Sequence, residues 1–118
     1  MLNGEDFEAR SARLLEHYGF NIIARRYRCK LGEIDLIAEN GQQLLFVEVR
    51  ARGYHGYGGA AASVDHKKQC KLSRCAAHFL SRNPTWKTLP CRFDVIAWDR
   101  HGRGERCEAR WIPAAFLS

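Results

Sequence analysis

No uncharged stretch of this 118-residue chain approaches the roughly 20 apolar residues that a membrane-spanning helix requires. The first residues, Met1-Leu2-Asn3-Gly4-Glu5-Asp6, carry neither a basic stretch nor an apolar segment. No secretory signal is therefore expected, and the expected location is cytoplasmic, with no membrane as partner. The five cysteines are odd in number and contain no Cys-x-x-Cys pair, and the five histidines add no zinc-ligand spacing. Reduced thiols serving as small apolar side chains are the expectation instead. The loop Gly53-Tyr54-His55-Gly56-Tyr57-Gly58-Gly59 is not followed by Gly-Lys-Ser/Thr, which excludes a P-loop. There is no internal repeat, low-complexity segment or interdomain linker, so residues 1–118 read as a single domain with one core. With 46% hydrophobic and 27% charged residues, the composition is that of a globular protein and not of a disordered one.

What is present is positive charge. Nineteen Lys and Arg against thirteen Asp and Glu leave a net charge of +6, which points to a polyanionic partner, nucleic acid ahead of an anionic membrane. Two segments concentrate it. Arg25-Arg26-Tyr27-Arg28-Cys29-Lys30 sets four basic residues around one aromatic, suited to a phosphate backbone with Tyr27 free to stack, or equally to a charged edge strand. Further on, Lys67, Lys71, Arg74 and His78 recur at i, i+4, i+7 and i+11, a basic ridge along one helix face or a solvated one.

The periodicities give a coarse order of elements. Residues 4–18 form an amphipathic helix with Phe7, Ser11, Leu14, Leu15 and Tyr18 on its apolar side and Gly19 as its stop. Glu8 lies at the margin of that stripe and looks inward, or with Glu5 and Asp6 complements the helix dipole. A strand begins at Phe20. The stretch Gly32–Arg52, GEIDLIAENGQQLLFVEVRAR, reads as a hairpin turned at Asn40-Gly41, with Ile34, Leu36 and Ala38 alternating against Glu33, Asp35 and Ile37. The glycine-aromatic loop follows at a strand end, where ligand-binding loops commonly sit. Residues 63–83 form a second helix capped by Ser63 or Asp65, with Leu72, Cys75, Ala76, Phe79 and Leu80 as its core stripe and Pro84 beyond its end. Cys91–Trp98 is a strand in which Asp94 reads as a strand-entry charge. Residues 105–112 form an edge strand, and residues 113–117 a terminal turn of helix. The sum is one α/β domain with a mixed sheet.

Chemistry concentrates in the hairpin. Period two sets Leu44, Phe46, Glu48 and Arg50 on one face, so Glu48 follows two core positions. An unpaired carboxylate there costs several kcal/mol. Asp35, on the neighbouring strand, converges on it, and two such acids repel unless a divalent cation lies between them. Asp followed by Glu-x-Arg on the next strand thus reads as a hard-metal site with a cation beside it for phosphate, or as an ion pair at a sheet edge.

Gly4-x-x-x-Glu8, Gly32-Glu33-Ile34-Asp35-Leu36-Ile37, Phe46-Val47-Glu48-Val49-Arg50, the Tyr57-Gly58 loop with Ser63, Val64 and Lys67, and Arg92-Phe93-Asp94-Val95 together resemble the YraN-like family of predicted endonucleases. That family is classed in the PD-(D/E)xK, or restriction-endonuclease-like, superfamily, and the likeness runs from Gly4 to about Phe116. It implies a restriction-endonuclease-like single domain, a mixed central β-sheet flanked by helices. It further implies Glu8, Asp35 and Glu48 as catalytic and metal-binding acids for Mg²⁺ (or Mn²⁺), with Arg50 in the place of the superfamily's lysine. Arg50 keeps the charge but cannot act as a base. Phe7 stands where many relatives carry glycine. The activity so implied is Mg-dependent hydrolysis of DNA phosphodiesters without strong sequence specificity, on branched or Holliday-junction-like DNA, by a homodimer. Its nucleic-acid contacts would come from Arg25, Arg26, Arg28, Lys30, Arg52, Lys67, Lys71 and Arg74. The alternative is a non-catalytic nucleic-acid-binding protein that retains the nuclease fold.

Overall fold

The structure, a computed structural model, describes residues 4–52, 64–100 and 107–116. Helix α1 (Gly4–His17) leads into strand β1 (Asn21–Cys29), the pair β2 (Gly32–Glu39) and β3 (Leu44–Arg52), helix α2 (His66–Arg82), a short 3-10 helix (Pro84–Thr88), and strands β4 (Cys91–Arg100) and β5 (Cys107–Phe116). The five strands pair in chain order, β1-β2-β3-β4-β5, and only β3 and β4 run parallel. A parallel pair needs a crossover, and the chain between β3 and β4 includes α2. This is the mixed-sheet α/β domain expected, consistent with a restriction-endonuclease-like fold. Among the described residues no helix is long and apolar enough to cross a membrane.

The helices cover opposite faces of the sheet and divide its apolar residues into two clusters. Phe7, Ala12 and Leu15 of α1 pack with Leu36, Ala38, Leu45, Val47, Ile96 and Trp98. Leu72, Cys75, Ala76 and Phe79 of α2 pack with Ile37, Leu44, Phe46, Phe93, Val95 and Ala97. The alternating assignment of residues 44–47 and 93–98 is the period-two rule with both faces buried, and it explains why Leu44–Val47 is apolar throughout. Ser11 holds its core position on α1 because its hydroxyl accepts a hydrogen bond from Trp98 Nε1 at 2.9 Å.

Local signals set the element ends. The Gly19 and Phe20 amides donate to the carbonyls of Glu16 and Leu15, closing α1 in a Schellman motif with Gly19 at φ 91°. Tyr18, expected on the apolar stripe, is 63% exposed, because it lies past the end of α1, where its ring makes T-shaped contacts with His17 and Trp111. The cap of α2 is Asp65, whose carboxylate accepts from the Lys68 amide at 2.8 Å; Ser63 and the glycine-aromatic loop lie outside the described residues. The Asn40-Gly41 turn is a four-residue loop. The Asn40 side chain accepts from the amides of Gln42 and Gln43, and Gly41 takes φ 86°.

Three expectations are corrected. Ile34 does not share a face with Leu36 and Ala38; it joins Ile37 on the α2 side, so the alternation breaks at Asp35. The break faces Arg26, a non-glycine residue at φ 49°. Residues 113–116 continue β5 and form no helical turn. Pro113 is tolerated on an edge strand, the register shifts there, and Phe116 stacks on Phe93 with ring centroids 5.0 Å apart. Asp94 is no strand-entry charge. It is fully buried, takes Arg92 in a two-pronged pair at 2.8 Å on each oxygen, and accepts from Trp111 Nε1 and the Ala114 amide. Among the described side chains Cys29, Cys70, Cys75 and Cys91 are free thiols, as expected.

Asp94 thus fastens β5 to the sheet. Asp94→Ala leaves a guanidinium, an indole N–H and a backbone amide without their acceptor, and should lower the unfolding free energy by about 3 kcal/mol in urea titration. A loss under about 0.5 kcal/mol, typical of an exposed site, would show that β5 is held by its ladder alone.

Candidate functional site

The β2–β3 ladder runs from Glu39 opposite Leu44 to Leu36 opposite Val47 and ends there. One more step of the same register would set Asp35 against Glu48. Instead of a continued ladder, the Asp35 carboxylate turns to the next strand and accepts from the Val49 amide at 2.8 Å. The two acids come together at this parting of the strands.

Glu48 is 3% exposed, on the α2 side of the sheet. One of its oxygens, Oε2, meets Arg50 Nη2 at 3.0 Å and Lys68 Nζ at 3.5 Å. Two cations would ordinarily hold a carboxyl ionised at low pH. Here burial outweighs them. Desolvation first, then a hydrogen bond with Asp35 and the repulsion of its charge, push Glu48 up to about 8. Arg50 is itself mostly covered, and its Nε is buried without a hydrogen-bond partner.

Glu8 approaches from α1. Its Oε2 accepts from Arg26 Nε at 2.9 Å, while its Oε1 is buried with no partner. Partial burial raises its pKa, the charge of Asp35 raises it further, and Arg26 opposes both. Asp35 therefore acts electrostatically on both other acids. Glu8 remains tied to Arg26, and among the described residues no three His, Cys, Asp or Glu side chains stand together as a ready ligand set.

The basic residues separate into distinct groups. Arg26 is taken up by Glu8, whereas Arg25, Arg28 and Lys30 are exposed along β1 and the turn after it. Arg28 meets Glu33 at 3.5 Å, a solvated pair of small energetic weight. Lys67, Lys71 and Arg74 are exposed on α2, but His78 turns from that ridge to hydrogen-bond Tyr27 at 2.7 Å. Tyr27 is not free to stack on a base. Its ring packs edge-on against Phe79 at 5.1 Å, within the α2-side core. The Arg52 side chain lies outside the described residues. Lys68, absent from the expected set, is the cation on Glu48 from α2. Its position four residues before the buried Leu72 was the available signal, since i and i+4 share a helix face.

The raised pKa of Glu48 has a definite sign for stability. The native protein keeps this proton up to about pH 8, whereas an unfolded chain gives it up near the ordinary value of 4.5. Between these values the native state holds more protons, so stability falls as pH rises from 4.5 to 8 and levels off above. Melting temperatures measured from pH 5 to 8 should therefore fall in the wild type and fall less in Glu48→Gln. Equal slopes would mean that Glu48 is ionised throughout.

Residues 7–98 match the model of a family described as the uncharacterised protein family UPF0102. A UPF0102 protein of Alcanivorax borkumensis is 44% identical over 115 residues, covering 98% of this chain and 91% of that protein. One from Halorhodospira halophila is 45% identical over 113 residues, with 96% and 85% covered, and one from Methylobacillus flagellatus 43% identical over 113 residues, with 96% and 95% covered. The motifs around Asp35 and Glu48 fall inside the span matched by the family model, which begins at Phe7 and includes Glu8. The chain belongs to the UPF0102 family, the YraN-like family its motifs resemble.

Proposed function

We propose that this protein is a Mg²⁺-dependent (or Mn²⁺-dependent) nuclease that hydrolyses DNA phosphodiesters in the cytoplasm. The observation that carries the reading is the Asp35–Glu48 contact, two carboxyls held together in a nearly dry pocket where one of them resists ionisation. A fold gains nothing in stability from such a pair, and a small hard cation relieves its repulsion. The donor set fits one: carboxylate oxygens only, with a further buried and unbonded oxygen on Glu8. Asp35 and Glu48 would hold the ion, and Glu8, on releasing Arg26, would complete the acidic set. The chemistry such an ion supplies when bound is activation of water and neutralisation of charge at the phosphate.

The remaining work falls to the chain's own residues. The Val49 amide fixes the direction of Asp35. Arg50, unable to give up its proton, orients and neutralises a phosphate oxygen through its fork of N–H groups. Lys68 shares Glu48 with Arg50 and compensates its charge once the proton has left. Branched DNA bound by a homodimer is the substrate and assembly implied by the resemblance to the restriction-endonuclease-like superfamily.

A second reading is favoured by the ion pairs themselves. Glu8 is matched by Arg26, and Glu48 by Arg50 and Lys68, as in a nucleic-acid-binding protein whose acids only organise its cations.

Plasmid and four-way-junction DNA, incubated with Mg²⁺, with Mn²⁺ and with EDTA, separate the two. The nuclease reading expects metal-dependent nicking that drops at least 100-fold in Asp35→Ala and Glu48→Ala while DNA binding persists. It also expects Mn²⁺ binding, followed by calorimetry, to be lost in Asp35→Asn. DNA binding without cleavage in either metal, together with no Mn²⁺ uptake, would leave the binding protein.

A further inference from the structure

The turn between β1 and β2 lies against α2 and forms with it an open cleft of about 490 Å³. Arg28 and Lys30 line one wall, Lys68 and Lys71 the other, and Glu33 is the sole acid among the lining residues. Glu33 is already opposed by Arg28 at 3.5 Å. Gly32 stands at the join of the walls with a φ of 153°, disfavoured for other residues, and an added Cβ there would make ordinary contact with Lys71 Cβ at 3.6 Å. Lys68 stands in the first turn of α2, just after the capping Asp65. Four cations gathered around the one acid Glu33 repel one another, a cost to the free protein that a bound anion removes.

One side chain joins this cleft to the carboxylate pair. Lys68 lines the cleft, and its ammonium group reaches Glu48 at 3.5 Å. No aromatic side chain lines the cleft, and Tyr27 is occupied with Phe79 and His78. The lining therefore recognises phosphate and not a base.

We propose that this cleft binds a backbone phosphate of a nucleic-acid strand, the neighbour of the phosphate at Asp35 and Glu48, with Lys68 bridging the two positions. The inference rests on the nuclease reading for which phosphate is cut, but its binding test does not need cleavage. The probe is a fluorescein-labelled 20-base-pair duplex, titrated by anisotropy in EDTA between 50 and 200 mM salt. Lys30→Gln/Lys71→Gln should weaken binding about tenfold and flatten the slope of log affinity against log salt by about 1–2, as expected for one or two lost phosphate contacts. Lys87→Gln and Arg13→Gln, exposed and away from the cleft, should stay within twofold of wild type. Under Mg²⁺ the double variant should raise KM for nicking and spare kcat. Equal weakening in the controls, or duplex binding by the double variant indistinguishable from wild type, overturns the cleft even if nicking survives. Selective weakening with no nicking by any variant upholds the cleft and removes the nuclease. A wild type that fails to bind the duplex at 50 mM salt overturns the cleft.

Discussion

The structure turns on a carboxyl group kept out of water. Glu48 occupies a strand position whose neighbours on the same face, Leu44 and Phe46, are core residues, and α2 closes over it. Two cations on one of its oxygens do not restore an ordinary affinity for protons, because Asp35 adds a second acid at the same point. Desolvation and like-charge repulsion act in the same direction, and together they exceed two ion pairs. A group this poorly tolerated sets demands on everything around it: a strand that delivers Asp35, a helix that delivers Lys68, and a neighbouring Arg50 whose Nε finds no partner.

The sheet meets those demands by its topology. The parallel pairing of β3 with β4 buries β3 in the middle of five strands, so an acid on it is screened from solvent on both sides. Antiparallel β2 brings Asp35 alongside. With α1 on one face and α2 on the other, Glu8 meets Arg26 of β1 and Lys68 meets Glu48 of β3. Asp35 sits where the alternation of β2 breaks, and it is the one acid whose charge acts on both of the others. Arg26, held at φ 49° in β1 while paired to Glu8, belongs to the same irregularity.

Much of this was legible in the chain. The faces of Leu44–Arg52 followed from period two, and the covered position of Glu48 followed from Leu44 and Phe46. The stripe of α2 likewise gave its buried residues. Lys68 was equally readable, by its spacing to Leu72, since i and i+4 share a helix face. Other features depend on partners distant in sequence. Asp94 is buried because Trp111 and Ala114, 17 and 20 residues away, turn their N–H groups to it. The slip at Asp35 faces an arginine whose partner, Glu8, lies 18 residues upstream of it. A pattern of apolar residues carries no information about such contacts, so β5 read as shorter than it is and Tyr27 as freer.

The β2–β3 ladder stops one pair before the acids meet. Backbone pairing therefore does not require Asp35 or Glu48 to be acidic, and both apolar clusters close without their charge. Architecture and chemistry are separable in this molecule. Descendants that exchanged these side chains for neutral ones would inherit the same scaffold intact, so kinship within the family carries the shape independently of the reactivity.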